Sequence, residues 1–153
     1  MNIFVLDKDP FKAAQMQCDK HIVKMILETA QLLCSIFPEN TAPYKRTHYN
    51  HPCSKWTRES YGNYAWLIHH GLALCDEYTY RYNKQHKCRD IILWCHYYGR
   101  IEYFNSLELT PFSKCMPEEC KNDDIVDSYR NYYITNKKSI AKWTKREIPV
   151  WWK

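Results

Sequence analysis

Residues 16–29 read MQCDKHIVKMILET, and this stretch predicts a long helix at the centre of the fold. From Phe11 to Ile36 apolar residues recur at intervals of three and four, which is the period of an α-helix with a buried face. Further apolar residues at positions 16, 23, 27 and 30 cover the opposite side. Because both sides are apolar, we expect the helix to pack centrally, with core on two faces.

The same helix carries a polar stripe that a packed core does not require. At 100° per residue, one face collects six polar residues: Gln17, Lys20, His21, Lys24, Glu28 and Gln31. We predict Lys20, His21, Lys24 and Glu28 as catalytic residues. A lysine kept neutral by burial is a nucleophile toward a sugar carbon, a histidine relays protons near neutral pH, and Glu28 supplies a carboxylate close to Lys24. Two alternatives remain open, a charged lysine pair that grips phosphate and a solvated face with a Lys24–Glu28 ion pair.

The remaining pattern predicts a mainly α fold, in which three to four helices form a compact bundle within a single domain of residues 1–153. Residues 2–7 form a short strand or an extended N-terminal arm, and Asp9 and Pro10 mark the start of the first helix. Further helices are expected over 54–82 and 90–98, and a last one from Asp123 or Asp124 that carries Ile140 and Trp143. An irregular loop is expected around 105–122, and no stretch is apolar enough to span a membrane.

Charge and cysteine content narrow the class of protein. The formal net charge is +5, and residues 129–153 hold seven lysines and arginines against one acid. This uneven distribution of charge favours binding of an anionic polymer to one face of the protein. An ordinary surface with uneven patches would give the same count of charged residues. Eight cysteines without a preceding signal-peptide pattern predict reduced thiols and an intracellular protein.

Residues 47–60, THYNHPCSKWTRES, are the first candidate for nucleic-acid contact. Basic side chains beside a helix start suit phosphate, and Trp56 either stacks a base or packs. The residues predicted here to bind nucleic acid are Arg46, His48, His51, Lys55, Trp56 and Arg58. The spacing His-x-x-His-x-Cys offers zinc at most three ligands, so we predict no metal and no cofactor.

The C-terminal residues 137–153 are the second candidate, because basic and aromatic residues alternate there. Lysines contact backbone phosphates while aromatic rings stack unpaired bases, so the segment suits exposed or flipped bases. The predicted contacts are Lys142, Trp143, Lys145 and Arg146. The alternative is a docked arm whose tryptophans fill the core.

Five segments resemble a family of small proteins found in phages and large DNA viruses: CDKHIVKMILETAQLLC, HYNHPCSKWTRES, NYAWL, TPFSKCMPEEC and AKWTKREIPVWW. The order of an N-terminal arm, a central charged helix and an HP dipeptide before a second helix ending in EYTYRY is also similar to pyrimidine-dimer DNA glycosylases of the phage endonuclease V type. That resemblance implies a small helical fold, base flipping, and attack on the sugar C1′ by an N-terminal amine, with a glutamate on the central helix. Asn2 is not a small residue, so Met1 is expected to stay and supply the amine. The family's Arg-Glu pair has no clean equivalent here.

These features together favour a nucleic-acid-binding enzyme of DNA repair. We predict a DNA glycosylase, with AP-lyase activity through a lysine or the N-terminal amine. Its partner is expected to be DNA, and no membrane partner is expected. If the protein is viral, it would work in the cytoplasm or nucleus of its host. The alternatives are a non-catalytic nucleic-acid-binding module and a metal-dependent nuclease that uses His48 and His51.

Overall fold

The computed structural model describes all residues, 1–153, and contains helices but no strands. The mainly α prediction is confirmed, whereas the expected number of three to four helices is too low. Two short 3-10 helices, Ile101–Tyr103 and Glu118–Cys120, accompany six α-helices: α1 Pro10–Met16, α2 Asp19–Cys34, α3 Pro52–Glu59, α4 Tyr61–Tyr82, α5 Arg89–Tyr98 and α6 Ile125–Asn136. None of them is long and apolar enough to cross a bilayer.

The predicted first helix is divided into α1 and α2, because Gln17 and Cys18 adopt extended backbone angles. Its start is as predicted, since the Asp9 carboxylate accepts hydrogen bonds from the first turn of α1. Gln17 is buried, and its amide nitrogen donates to the carbonyl of Ile3 at 3.0 Å. The break therefore turns a residue of the predicted polar stripe inward, where it holds the N-terminal arm against α2.

The predicted second helix is also two helices. Ser60 has extended angles, φ −152° and ψ 156°, and its hydroxyl accepts a hydrogen bond from the amide of Asn63 at the start of α4. The imidazole of His51 caps α3 in the same way by accepting from the Cys53 amide at 3.1 Å. Helical periodicity continues across Ser60, and so the sequence pattern does not reveal the break.

Helix α4 is the central element and contacts α1, α2, α3 and α5. Gly71 brings α2 and α5 close to it, because a Cβ there would lie 2.9 Å from Thr29 and 3.1 Å from Ile92. Helix α2 is buried on one side, while Val23 and Leu27 are exposed. The expectation of core on both faces of this helix is therefore wrong, and α4 takes the central position instead.

The N-terminal arm is irregular and buried, with a bend at Phe4, and its residues 2–6 pair with no strand. Helix α6 begins after Asp124, whose side chain caps it, close to the predicted start. It ends at Asn136, so Ile140 and Trp143 lie beyond the helix that was expected to carry them. Residues 105–122 are irregular apart from the 3-10 turn at Glu118–Cys120, as predicted.

Candidate active site

The N-terminal arm, α2 and α6 enclose a small cavity of about 170 Å³. It contains a primary amine, a carboxylate, an imidazole and two lysines within one enclosure. Its lining residues are Met1, Asn2, Phe4, His21, Lys24, Met25, Glu28, Tyr132 and Lys137. Three of the four predicted catalytic residues, His21, Lys24 and Glu28, thus share one cavity.

The amino group of Met1 lies 3.3 Å from Oε1 of Glu28. The same oxygen accepts a hydrogen bond from the Asn2 amide at 3.0 Å, so one carboxylate positions both ends of the first residue. The Met1 side chain is only 2% exposed, although the residue as a whole is partly exposed. The surface that Met1 presents is therefore its main chain, which includes the amine.

Asn2 fixes this arrangement through contacts that reach across the chain. Its Nδ2 donates to the carbonyl of Cys115 at 2.7 Å, and its Oδ1 accepts from the Tyr129 hydroxyl at 2.9 Å. The adjoining Phe4 has a φ of 60°, which is uncommon for a bulky residue and bends the arm. The ring of Phe4 stacks on His21 at 4.2 Å, so burial and stacking hold the bend in place.

His21 lies on the cavity wall as a neutral imidazole. Burial, together with the positive charges of Lys137 and Lys24, lowers the pKa of His21 to about 3. Its Nδ1 forms a 2.5 Å hydrogen bond with the Tyr133 hydroxyl. Desolvation thus disfavours a charged His21 near neutral pH, and its role as a proton relay stays a prediction. Its Nε2 has no protein partner and is not sealed from solvent, which leaves it free to meet a ligand.

The two lysines predicted as buried are both exposed. Lys20 lies outside the cavity, and the side chain of Lys24 is 72% exposed, with Nζ 3.9 Å from Oε2 of Glu28. The burial on which that prediction depends is absent, because α2 has solvent on this side. A third lysine, Lys137, completes the basic lining, with Nζ 4.7 Å from the ring centre of Tyr132.

The first predicted nucleic-acid segment is mostly occupied with internal contacts. Trp56 is buried, and its ring stacks on Phe112 at 5.0 Å, so the packing alternative holds for this residue. The guanidinium of Arg58 donates to the Tyr49 carbonyl and lies 3.6 Å from the centre of the Tyr49 ring. Arg46 contacts the same ring at 4.6 Å.

The remaining residues of that segment lie nearer the surface. Lys55 and His48 are exposed, and His48 bonds to Thr47. His51 is partly buried and feels the charges of both the Met1 amine and Glu28, which place it close to the cavity. Its ring nitrogen clusters with the sulfurs of Cys53 and Cys115, whereas His48, whose carbonyl accepts from the His51 amide at 3.0 Å, does not contribute its ring to that cluster.

The C-terminal segment docks onto the helices. Trp143 is buried and its indole N–H donates to the Met16 carbonyl, as the docked-arm alternative expects. Arg146 forms two 2.9 Å hydrogen bonds to Glu77 and is thereby committed to an ion pair. Lys145 donates to the Tyr80 carbonyl, while Lys142 is exposed.

A buried ion-pair network fastens this segment to the bundle. Arg81 is fully buried and bonds Glu77 at 2.8 Å and Asp19 at 3.0 Å. Asp19 also accepts from the amide and hydroxyl of Thr144. This part of the basic tail is therefore structural, and the aromatic, basic pattern of the sequence marks a docking contact here.

Sequence reasoning from the residues alone missed Phe4 and Tyr132, and it assigned Lys137 to the basic C-terminal segment; all three line the cavity. Residues 4 and 132 are far apart in the chain, and no local pattern connects them. The N-terminal amine was implied only by the resemblance to the endonuclease V type. In the structure Glu28, on α2, is the glutamate that faces this amine.

Three larger clefts lie elsewhere on the surface, of about 520 Å³ beside Thr110 and Asp124, about 450 Å³ beside Lys12 and Arg146, and about 270 Å³ beside Ala73 and Glu77. None of them combines a free amine with a buried carboxylate, since the third contains the buried Glu77 but no amine. Chemistry therefore singles out the smaller cavity.

Comparison with known proteins gives one family. A family model described as pyrimidine dimer DNA glycosylase matches residues 1–90, which is more than half of the chain. The matched part includes the amine, His21 and Glu28, whereas α6, which closes the cavity, lies outside it. No curated protein and no solved structure matches the chain. The protein belongs to the pyrimidine dimer DNA glycosylase family.

Proposed function

We propose that the protein removes a damaged pyrimidine from DNA by attack of the Met1 α-amine on C1′ of the deoxyribose, and that it then cleaves the strand at the resulting abasic site. The observation that carries the proposal is the 3.3 Å separation between this amine and Glu28 in the cavity. The amine forms a bond to C1′ while the bond from C1′ to the base breaks, and the base leaves with the electron pair and gains a proton.

The ensuing steps explain the lyase activity. Loss of a proton from the attached nitrogen and opening of the sugar ring give an imine, with the former ring oxygen as a hydroxyl. The imine acidifies the neighbouring C2′ protons, so a base can remove one and expel the 3′ phosphate. Glu28 lies within reach of the amine and is suited to take and return these protons.

The α-amine is a better nucleophile here than the neighbouring lysines. As a class, α-amines are weaker bases than lysine side chains, so a larger fraction is neutral near pH 7. Lys24 is largely surrounded by water, and Lys20 lies outside the cavity. Met1 is instead held by Asn2 and Glu28 in one position, which favours a defined attack geometry.

Binding of the DNA strand is assigned to the basic lining of the cavity. Lys24 stands on α2 and Lys137 just after α6, and both line the cavity that holds the amine. Cations in this position suit the phosphates that flank a flipped nucleotide. The neutral His21 offers Nε2 for a hydrogen bond to the sugar or base, without adding charge.

The test is reductive trapping on duplex DNA that carries a single pyrimidine dimer. The protein is produced with an N-terminal fusion whose removal leaves Met1 as the first residue. Borohydride reduces an imine to a stable amine, so the cleaved protein should become covalently joined to DNA, whereas the intact fusion should not. Lys20→Ala is the matched control, and it should trap as efficiently as the unaltered protein.

Equal trapping by the fusion and the cleaved protein would reject the α-amine as nucleophile. Tight binding to dimer-containing DNA without trapping or strand cleavage would favour the non-catalytic module instead.

A further inference from the structure

Three metal-ligand side chains meet beside the candidate active site. A ring nitrogen of His51 and the sulfurs of Cys53 and Cys115 all lie within 4.8 Å of one another. His51 and Cys53 stand at the start of α3, whereas Cys115 comes from the irregular loop 62 residues further along. No other group of three histidine, cysteine or acidic side chains in the chain is placed in this way.

The separation of the two sulfurs is close to that in a tetrahedral site. Two thiolates bound to one zinc at about 2.3 Å are separated by about 3.8 Å when the geometry is tetrahedral, and Sγ of Cys53 and Sγ of Cys115 are 3.4 Å apart. The ring nitrogen of His51 lies within 4.8 Å of both sulfurs, and zinc would draw it to about 3.5 Å from each of them. Cys53 is buried, while His51 and Cys115 are partly exposed, which leaves a path for an ion from solvent.

We propose that His51, Cys53 and Cys115 form a zinc site, with water as the fourth ligand. Thiolate and imidazole ligands together select zinc among the common divalent ions, and two cysteines with one histidine leave the open position of a four-coordinate centre. The sequence alone predicted no metal here, because the motif His-x-x-His-x-Cys offers only His48, His51 and Cys53. It cannot reveal that Cys115 folds next to His51.

The site would brace the N-terminal arm. The carbonyl of Cys115 accepts the hydrogen bond from Nδ2 of Asn2 at 2.7 Å. Zinc would therefore join the start of α3 to the loop that holds the first residues in place. Bound zinc should raise the thermal midpoint of unfolding, since it binds only the folded arrangement of the three ligands.

The experiment uses cobalt(II) as a spectroscopic substitute for zinc, with the full chain kept reduced by a non-thiol reductant. One equivalent should produce a sulfur-to-cobalt charge-transfer band and the visible bands of tetrahedral cobalt, and zinc should displace it. Cys115→Ser should abolish the charge-transfer band or halve its intensity and remove the zinc-dependent rise in thermal midpoint. His51→Asn should weaken binding at least tenfold, since asparagine keeps the helix cap but is a poor zinc ligand.

The matched control is Cys34→Ala, which removes one member of the other close thiol pair. Sγ of Cys34 lies 3.7 Å from Sγ of Cys95, without a histidine beside them, so this variant should bind cobalt like the unaltered protein. Absence of a charge-transfer band in the unaltered protein would overturn the proposal. A band that persists unchanged in Cys115→Ser, or that disappears in Cys34→Ala, would do the same.

Discussion

Replacing Glu28 with glutamine should lower the reaction rate much more than the unfolding free energy, and so it distinguishes a catalytic role from a structural one. Glu28→Gln keeps the shape of the side chain and an oxygen that can accept the Asn2 amide hydrogen, which lies 3.0 Å away in the native protein. It removes the negative charge beside the Met1 amine and beside Lys24. Since Lys24 is largely exposed and the amine is partly so, the lost ion pairs should cost only about 1 kcal/mol of unfolding free energy. For a chain of this size, that is a fall of about 2–4 °C in thermal midpoint.

The loss of activity should be far larger than the loss of stability. A positioned carboxylate that transfers protons contributes about 10²–10⁴ to a rate, equivalent to about 3–5 kcal/mol of activation free energy. Single-turnover rates of glycosidic-bond cleavage and strand cleavage on dimer-containing DNA would measure this, alongside thermal unfolding. Glu59→Gln, at an exposed position on α3, is the control and should change neither quantity. A Glu28→Gln variant that retains its rate within threefold would refute the reasoning.

Three further outcomes are expected. Lys137→Ala should weaken DNA binding. If the lysine contacts one phosphate, the slope of the logarithm of the binding constant against the logarithm of the salt concentration should become shallower by about 0.9. An unchanged slope would exclude that contact. Tyr129→Phe removes the hydroxyl that donates to Oδ1 of Asn2, so the unfolding free energy should fall by about 1–3 kcal/mol and trapping should slow, whereas unchanged trapping would show that the amine does not need this anchor. Burial lowers the pKa of His21 to about 3 and that of His70 to about 4 in the folded protein, both below the ordinary value. As pH falls, these histidines therefore take up protons in the unfolded chain before they do so in the folded one. The unfolding free energy should fall as pH decreases from about 6.5 toward 4, by up to about 1.4 kcal/mol per pH unit for each histidine. Denaturant unfolding across this range checks the slope, and His21→Asn should remove its share; an identical slope in that variant would contradict the assignment.

Local pattern was enough to predict the helical class and the face of α2 that meets the cavity. His21, Lys24 and Glu28 lie three and four residues apart, so helix geometry alone brings them together. Lys20 was assigned to the same stripe but lies outside the cavity. The spacing of 100° per residue gives the direction of a side chain around the helix axis, but it does not show where a neighbouring element ends.

The helix breaks could not be predicted because nothing in the local composition demands them. Gln17 and Ser60 are neither proline nor glycine. The break at Gln17 is stabilised by its hydrogen bond to the Ile3 carbonyl, and the break at Ser60 by the hydrogen bond from the Tyr61 amide to the Ser106 carbonyl at 2.8 Å. The contacts of Asn2 with Cys115 and Tyr129 span more than one hundred residues. Periodicity carries no information on such pairings, and so the anchoring of the amine became visible only in the folded chain.

The basic, aromatic tail shows that one composition fits two different structures. Trp143 and Arg146 were predicted to meet nucleic acid, yet one is buried and the other is paired with Glu77. Aromatic rings and cations suit a nucleic-acid surface and an intramolecular dock equally well, because both need apolar area with a charged edge. Only the position of the acidic partners on α2 and α4 decides between them.

The most direct test of the account is to map the covalent adduct. After borohydride trapping on dimer-containing DNA, nuclease and protease digestion followed by tandem mass spectrometry identifies the nitrogen that carries the sugar remnant. The account predicts that the remnant is attached to the α-nitrogen of Met1. A remnant on the side chain of Lys24 or Lys137, with the Met1 amine unmodified, would contradict it.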